Sequence, residues 1–570
     1  MSRIPRPAAH TACGCQEERT IHHKHFAILA SCVVALVLPS SGAAKNLSTH
    51  EWRQDLQYMA RQLEQWHANL YHTVDREEFE AAVAALDRDI PNLAPHQIIV
   101  GLSRIVASVG DAHTYLFPPF DGPFAFGKYP VQYEWFSDGL FVTVADRSLT
   151  RILGAQVLRM GKVAVDSALS LAGEIGYREN ASTTRITAPR VLVIPEVLHA
   201  LGIIDDAGPV RLLVKPRGEA PVEVFLDSRP AAAAFSWVDA RESATGPTPL
   251  YQRRPADPYW LEYLPEDRAL YVQMNRCRDM EGEPIAEFAD RIDRTLVETG
   301  AEKLILDVRS NIGGSWQATL PLVHTVIGND RINRKGHFFV ITGRYTLSAT
   351  VVMIGQLRWH THLTLVGEPT GARPNLYGEN PFALELPNSG LEVKWASEYF
   401  QPAGAFERAT WIAPEVAAEL SSRDYLLNRD PALRAALDYT GPRDLETDLK
   451  SRWSSGGLRA AESEYRAFRG DPRNKYVDTF RAVRRFGNSL LDAGDTEDAL
   501  RVFGWNLDAY PERARTYIRL GHAQAVLNRR DQAVALFEEA RERLAGDETL
   551  YGSLRYALLQ YVDEWLDKLR

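Results

Sequence analysis

The sequence predicts a mixed α/β protein of several domains, and three observations carry that reading. Its first hundred residues hold amphipathic helical stripes, its middle alternates β-rich runs with helical ones, and its last hundred repeat themselves at a helix-pair period. At 570 residues the chain is also too long for one core, since single cores rarely grow past ~250–300 residues.

The elements follow in order. Residues 51–70 are apolar at Trp52, Leu56, Met59, Leu63, Trp66 and Leu70, a helical spacing. A second helix starts at Asp75, with Glu78 three residues on as a capping box, and runs through Phe79, Val83 and Leu86. A third covers Pro95 to Val109 and stops at Gly110, so 45–120 reads as a small helical domain. Val131–Phe136 and Leu140–Val144 are β-rich and joined by Ser137-Asp-Gly139, a hairpin signal. Further short runs at Gln156–Leu158, Val210–Val214 and Val222–Leu226 flank helical stretches at Val165–Leu171 and Arg190–Leu201, giving a β-rich domain over 121–235.

From 236 to 440 the pattern alternates strand and helix. Lys303–Val308, Phe338–Ile341 and Thr364–Val366 are nearly continuous apolar runs, as in strands buried on both faces. Helices near Ile285–Val297 and Ala349–Arg358 suit the crossovers between them. Residues 441–475 read as a linker. In 476–570, Gly487, Ala499 and Phe503 recur as Gly521, Ala533 and Phe537, each 34 residues on, the tetratricopeptide period. Such a short array suits docking on another domain or on a protein partner.

Composition sets outer limits. With 45% hydrophobic and 24% charged residues it is ordinary for a globular protein, and a formal charge of −9 argues against a nucleic-acid partner. Phe26–Leu38 is a short apolar run behind Arg19 and Lys24, and small residues follow it up to Ala44. Thirteen largely apolar residues are too few for a bilayer of ~30 Å, so 1–44 reads as a cleaved signal peptide rather than a permanent anchor. The mature protein is then periplasmic or extracellular, with lipidation at Cys32 the minor alternative. Cys13, Cys15 and Cys32 fall inside that signal, which leaves Cys277 without a disulfide partner. No metal or nucleotide signature stands out, and no cofactor is expected.

Three places could carry chemistry. Asp307-Val-Arg-Ser-Asn-Ile-Gly-Gly-Ser315 follows a buried strand, and its glycine pair permits a turn with free N–H groups. A plain strand-to-helix turn would read the same way. Gly343-Arg-Tyr-Thr-Leu-Ser348 places a serine where a strand ends and a helix begins, either as a nucleophile facing the helix dipole or as a helix cap. His113, in Gly110-Asp-Ala-His-Thr114, is a catalytic base or a structural histidine.

Taken together, and in this order, these segments resemble the tail-specific (C-terminal processing) serine peptidases. Val366-Gly-Glu-Pro-Thr-Gly-Ala-Arg-Pro-Asn375 and Leu386-Pro-Asn-Ser-Gly-Leu391 complete the set, over roughly Trp52 to Leu437. The resemblance implies a crotonase-like (Clp-protease-like) β-β-α catalytic core, and Gly154–Val163 suggests a degenerate PDZ-like middle domain. One branch of the family uses a lysine base, but Arg373 fills that slot, and a guanidinium does not give up its proton. The tricorn-like branch pairs serine with histidine and a carboxylate. Carried over, that makes Ser348 the nucleophile, His113 the base and Glu407 the carboxylate, with Glu398 as second choice. The oxyanion hole would be the amide of Gly313 or Gly314 together with that of Ala349, and Arg373 becomes a substrate contact. The expected activity is hydrolysis of an extended peptide or protein substrate. The rival readings are a catalytically silent binding relative, an envelope interaction protein working through its repeat tail, and an esterase.

Overall fold

The computed structural model describes residues 46–379, 382–405, 407–547 and 549–570. The apolar run at 26–38, the cleavage site at Ala44, and Cys13, Cys15 and Cys32 lie outside the described residues.

Helices α1 (Thr49–Trp66), α2 (Arg76–Asp89) and α3 (Pro95–Ser108) form where the apolar stripes place them. Ser48 and Glu51 build a reciprocal capping box at the start of α1. The box expected at Asp75 does not form: Asp75 holds the N-cap position of α2, but its exposed side chain makes no capping bond.

The β-rich segment contains β1 (Val131–Phe136), β2 (Gly139–Asp146), β3 (Gln156–Met160), β4 (Val210–Lys215) and β5 (Val222–Leu226), paired antiparallel in that order. Helix α4 (Val165–Ala172) lies where the sequence places it. The single helix expected over 190–201 is instead two, α5 (Ala181–Val191) and α6 (Pro195–Ala200). The break falls before Pro195, which disfavours helical geometry in Ile194 and leaves it extended. These strands and α1–α3 share one buried core, from Trp52 and Leu56 through Val142 and Val157 to Leu391 and Val393.

The segment from Tyr259 to Ala417 holds a six-stranded sheet. Its order is β6 (Tyr259–Leu264), β7 (Ala269–Met274), β8 (Lys303–Asp307), β9 (Phe338–Thr342), β10 (Thr364–Gly367) and, after a two-stranded ribbon of β11 (Leu376–Gly378) and β12 (Glu398–Phe400), β13 (Val416–Ala417). Only the β6–β7 pair in that order is antiparallel. Both faces are covered, which is why these strands read as continuous apolar runs. Leu304, Leu306, Val340 and Leu365 face a core shared with α7 (Ile285–Thr299), α8 (Leu320–Gly328) and α9 (Ala349–His360). Ile305, Phe339, Ile341 and Val366 pack on the other face against Ala432 and Ala436. Helix α8 was not legible in the sequence, because Leu320–Gly328 is mostly apolar and shows no polar stripe.

Much of the stretch read as a linker is helix α10 (Leu445–Gly470), bent where Gly456 and Gly457 leave helical geometry. The tail is all helical: α11 (Phe480–Ala493), α12 (Thr496–Ala509), α13 (Ala514–Val526), α14 (Arg530–Leu544) and α15 (Gly552–Leu569). The repeat has a steric cause. A side chain at Gly487 would come within 2.4 Å of Phe503, and one at Gly521 within 3.2 Å of Phe537, so each glycine lets its helix close on the aromatic ring of the next.

Candidate active site

The serine turn is built by the end of β9 and the start of α9. Gly343 N donates to Thr346 Oγ1, whose hydroxyl donates on to Val308 O, tying the turn to the strand beside it. Buried Arg344 anchors it from the other side, pairing with Glu368 at 2.9 Å and donating to Trp135 O at 2.6 Å. Ser348 then occupies the N-cap position of α9 at φ 50° and ψ −129°, a region that non-glycine residues enter at a cost of ~1–3 kcal/mol. Its side chain makes no capping bond. The hydroxyl instead stands 3.1 Å from His113 Nε2, across 235 residues of chain.

His113 sits in the turn after α3, and two buried carboxylates shape that turn. Asp111 Oδ1 accepts from His113 N at 2.8 Å, while Asp111 Oδ2 pairs with His67 Nε2 at 2.9 Å and with His72 Nε2 at 3.5 Å. Burial alone would raise the Asp111 carboxyl, but the two imidazoles outweigh it and hold the group well below the usual range. Glu179 Oε2 accepts from Ala112 N at 3.1 Å, and Glu179 Oε1 accepts from Arg373 N at 2.7 Å. Burial pushes Glu179 up to about 8, against the opposing pull of the Arg373 amide and guanidinium.

Burial also lowers the pKa of His113, partly offset by Asp111, Glu379 and the Tyr377 carbonyl. Its buried Nδ1 makes no well-aligned hydrogen bond, and the Tyr377 carbonyl is the acceptor it approaches. An imidazole of lowered pKa is neutral near pH 7, the form that can take a proton from a hydroxyl.

The glycine turn lies directly against the serine. A side chain at Gly313 would come within 2.7 Å of Ser348 Cβ and 3.1 Å of Ala349 N, and one at Gly314 within 2.4 Å of Cys277 O. Both glycines have positive φ, 111° and 137°. Asn311 joins the two turns: its Oδ1 accepts from Gly313 N at 2.9 Å and its carbonyl accepts from Leu347 N at 3.1 Å. With the Gly313 amide engaged, those of Gly314 and Ala349 are left without a partner among the described residues, next to the serine.

The structure thus brings together Ser348, His113, Gly313, Gly314 and Ala349. It does not bring the two carboxylates chosen by spacing to the histidine. Glu407 Oε1 turns back to accept from Ala409 N at 2.9 Å, and Glu398 is exposed on β12, opposite Gly378. The carboxylates that act on His113 are Asp111 and Glu379, the latter at a positive φ of 51° just past β11. Arg373 points away from a substrate role: its Nε lies 3.5 Å from Glu179, and its guanidinium reaches toward the Gly110 carbonyl. Asp111, Glu179, Asn311 and Glu379 were not singled out from the sequence. Asp111 and Asn311 stand within the motifs that were.

His67, His72 and Asp111 place three potential ligand atoms within 4.8 Å of one another, but they do not suit a metal. His67 Nδ1 accepts from Asn69 N, so its proton sits on Nε2 and is donated to Asp111, leaving no lone pair there.

Residues 268–418 match peptidase family S41. No curated protein matches the chain. Among solved structures, mature CPAF complexed with lactacystin is similar at 13% identity, covering 68% of this chain and 98% of that one, with a TM-score of 0.50. The photosystem II D1 C-terminal processing protease is 15% identical over 70% of this chain and 100% of its own, with a TM-score of 0.33. The tricorn protease is 16% identical over 68% of this chain and 36% of its own, with a TM-score of 0.32. The S41 match lies over the strands and turns that carry Ser348, and the chain is a serine-type peptidase, similar over that segment to the tail-specific, or C-terminal processing, peptidases.

Proposed function

We propose that this chain is an exported endopeptidase that cleaves peptide bonds through an acyl-enzyme on Ser348, with His113 as general base. One observation carries the reading: the Ser348 hydroxyl leaves its helix uncapped and faces His113 Nε2 at 3.1 Å. His113 Nε2 takes the hydroxyl proton as Oγ attacks the carbonyl carbon, and the imidazolium then protonates the leaving amine. Water hydrolyses the ester by the same steps in reverse order of partners.

The oxyanion falls to the Gly314 and Ala349 amides, with the dipole of α9 behind Ala349. Asp111 and Glu179 act as positioning residues, since each holds a backbone N–H of the His113 turn. The anionic Asp111 and Glu379 favour the imidazolium that forms in the transition state. Export is supported by the apolar run and small residues of 26–44. The test is labelling of the mature protein by a fluorophosphonate probe. Wild type should label, Ser348→Ala should not, and His113→Ala should label slowly; equal labelling of wild type and Ser348→Ala overturns the assignment.

A further inference from the structure

No carboxylate among the described residues bonds the Nδ1 side of His113. Asp111 Oδ1 is taken by the His113 amide and Oδ2 by the two imidazoles, Glu379 is exposed, and Glu407 turns back on its own loop. What passes there is the main chain of β11. The Tyr377 carbonyl is the acceptor that Nδ1 approaches, and a side chain at Gly378 would come within 3.6 Å of His113 Cε1. Catalytic hydrogen bonds are often poorly aligned in a free enzyme and tighten when substrate binds.

The side chain of Tyr377 is held at its face and at its tip. His72 stacks on the ring at 4.2 Å between centroids and 21° from parallel, and Tyr399 lies 4.8 Å away. The hydroxyl accepts from Asn69 Nδ2 at 3.1 Å. Pairing of Tyr377 with Tyr399 fixes the register of the ribbon, and Leu376 anchors it in the core shared with α9. His72 also stands 3.5 Å from Asp111, whose other oxygen holds the His113 amide. A closed circuit results. It runs from the His113 amide through Asp111 and His72 to the Tyr377 ring, and from the Tyr377 carbonyl back to His113 Nδ1.

We propose that the main-chain carbonyl of Tyr377 takes the place of a triad carboxylate by accepting the His113 Nδ1 proton, with Tyr377 and His72 as the positioning residues that aim it. This role rests on His113 being the general base. A proton held on Nδ1 leaves the Nε2 lone pair facing Ser348 Oγ, the tautomer that can receive the hydroxyl proton. The Nδ1 proton itself stays on the ring throughout. A carbonyl carries no charge to stabilise the imidazolium, and that part falls to the anions of Asp111 and Glu379 at longer range.

Nitrogen chemical shifts of isotope-labelled histidine in the mature full-length protein report which ring nitrogen carries the proton, and the signals lost in His113→Ala are those of His113. With the ring neutral, wild type should show the Nδ1–H tautomer, Glu379→Gln should keep it, and Tyr377→Ala should shift it toward Nε2–H. Tyr377→Ala should also lower kcat about tenfold or more with KM within about threefold, and Tyr377→Phe, which keeps the stack, should recover most of that loss. Should Tyr377→Ala not fold, His72→Ala carries the test, with the same tautomer shift and kcat lowered about threefold. An Nε2–H ring in wild type, an Nδ1–H tautomer that survives in the folded variant, or its loss in Glu379→Gln overturns the proposal and leaves His113 as the base. Retained hydrolysis in His113→Ala overturns the base and this role together.

Discussion

His113 Nε2 and Ser348 Oγ meet at 3.1 Å, the histidine standing in the turn after α3 and the serine at the opening of α9. The pair is held from behind by backbone N–H groups bonded to Asp111, Glu179 and Asn311, so its geometry depends on side chains that never touch the substrate.

Replacing Ser348 separates chemistry from strain. Ser348→Ala should abolish probe labelling and peptide hydrolysis, with a thermal midpoint close to wild type because no cap bond is lost. Ser348→Gly should be equally inactive but more stable than Ser348→Ala by about 1 kcal/mol, since glycine accepts φ 50° and ψ −129° without strain. A drop of ~1 kcal/mol in Ser348→Ala would mark a helix cap instead.

The pH profile follows from the lowered pKa of His113. With the neutral imidazole as the proposed base, kcat/KM should rise with pH through a midpoint below the ordinary ~6.5 and then stay level through neutrality. Asp111→Asn removes an anion that favours the imidazolium, and should move the midpoint lower still while reducing the rate. A rise centred above pH 7 contradicts both statements.

Side-by-side substitution identifies the carboxylate that serves His113. Glu379→Gln should reduce kcat/KM about tenfold, short of the ~10⁴-fold loss expected for a hydrogen-bonded triad carboxylate. Glu407→Gln and Glu398→Gln should stay within about twofold, because neither side chain acts on His113 in this structure. A large loss in Glu407→Gln with an unaffected Glu379→Gln reverses the roles.

Glu179 should matter to both stability and rate. Glu179→Ala strands the N–H groups of Ala112 and Arg373, at ~1–3 kcal/mol each, and lets the histidine turn drift. The folded-state pKa of Glu179 is raised to about 8 from an ordinary 4.5. Its linked stability is therefore complete below pH 4.5 and is lost as pH rises through about 8. Thermal midpoints between pH 5 and 9 should fall less steeply in Glu179→Gln than in wild type.

His113 and Ser348, which the structure places side by side, were legible because each stands in a short motif at a strand or helix end. His113 follows the stop at Gly110, and Ser348 follows the end of an apolar strand. Glu179 was not, because its two partners lie 67 and 194 residues away and are backbone amides, which leave no mark on composition. Glu407 was chosen on its distance past Ser348, a one-dimensional measure, whereas the structure turns its carboxylate back on its own loop. The helix in the stretch read as a linker, α10, escaped notice because Gly456-Gly457 interrupts a mostly polar sequence. The family resemblance and the alternation of strand and helix over 236–440 were readable directly, since both depend on local order along the chain.

The separation of His113 and Ser348 by 235 positions also sets an order in time. A ribosome working at roughly 5–20 residues per second completes the histidine turn on the order of ten seconds or more before the serine exists. On the proposed mechanism no fragment ending before α9 can form an acyl-enzyme, however well its helices and first sheet have folded. A nascent chain is therefore harmless to the machinery that makes it until most of its length has been synthesised.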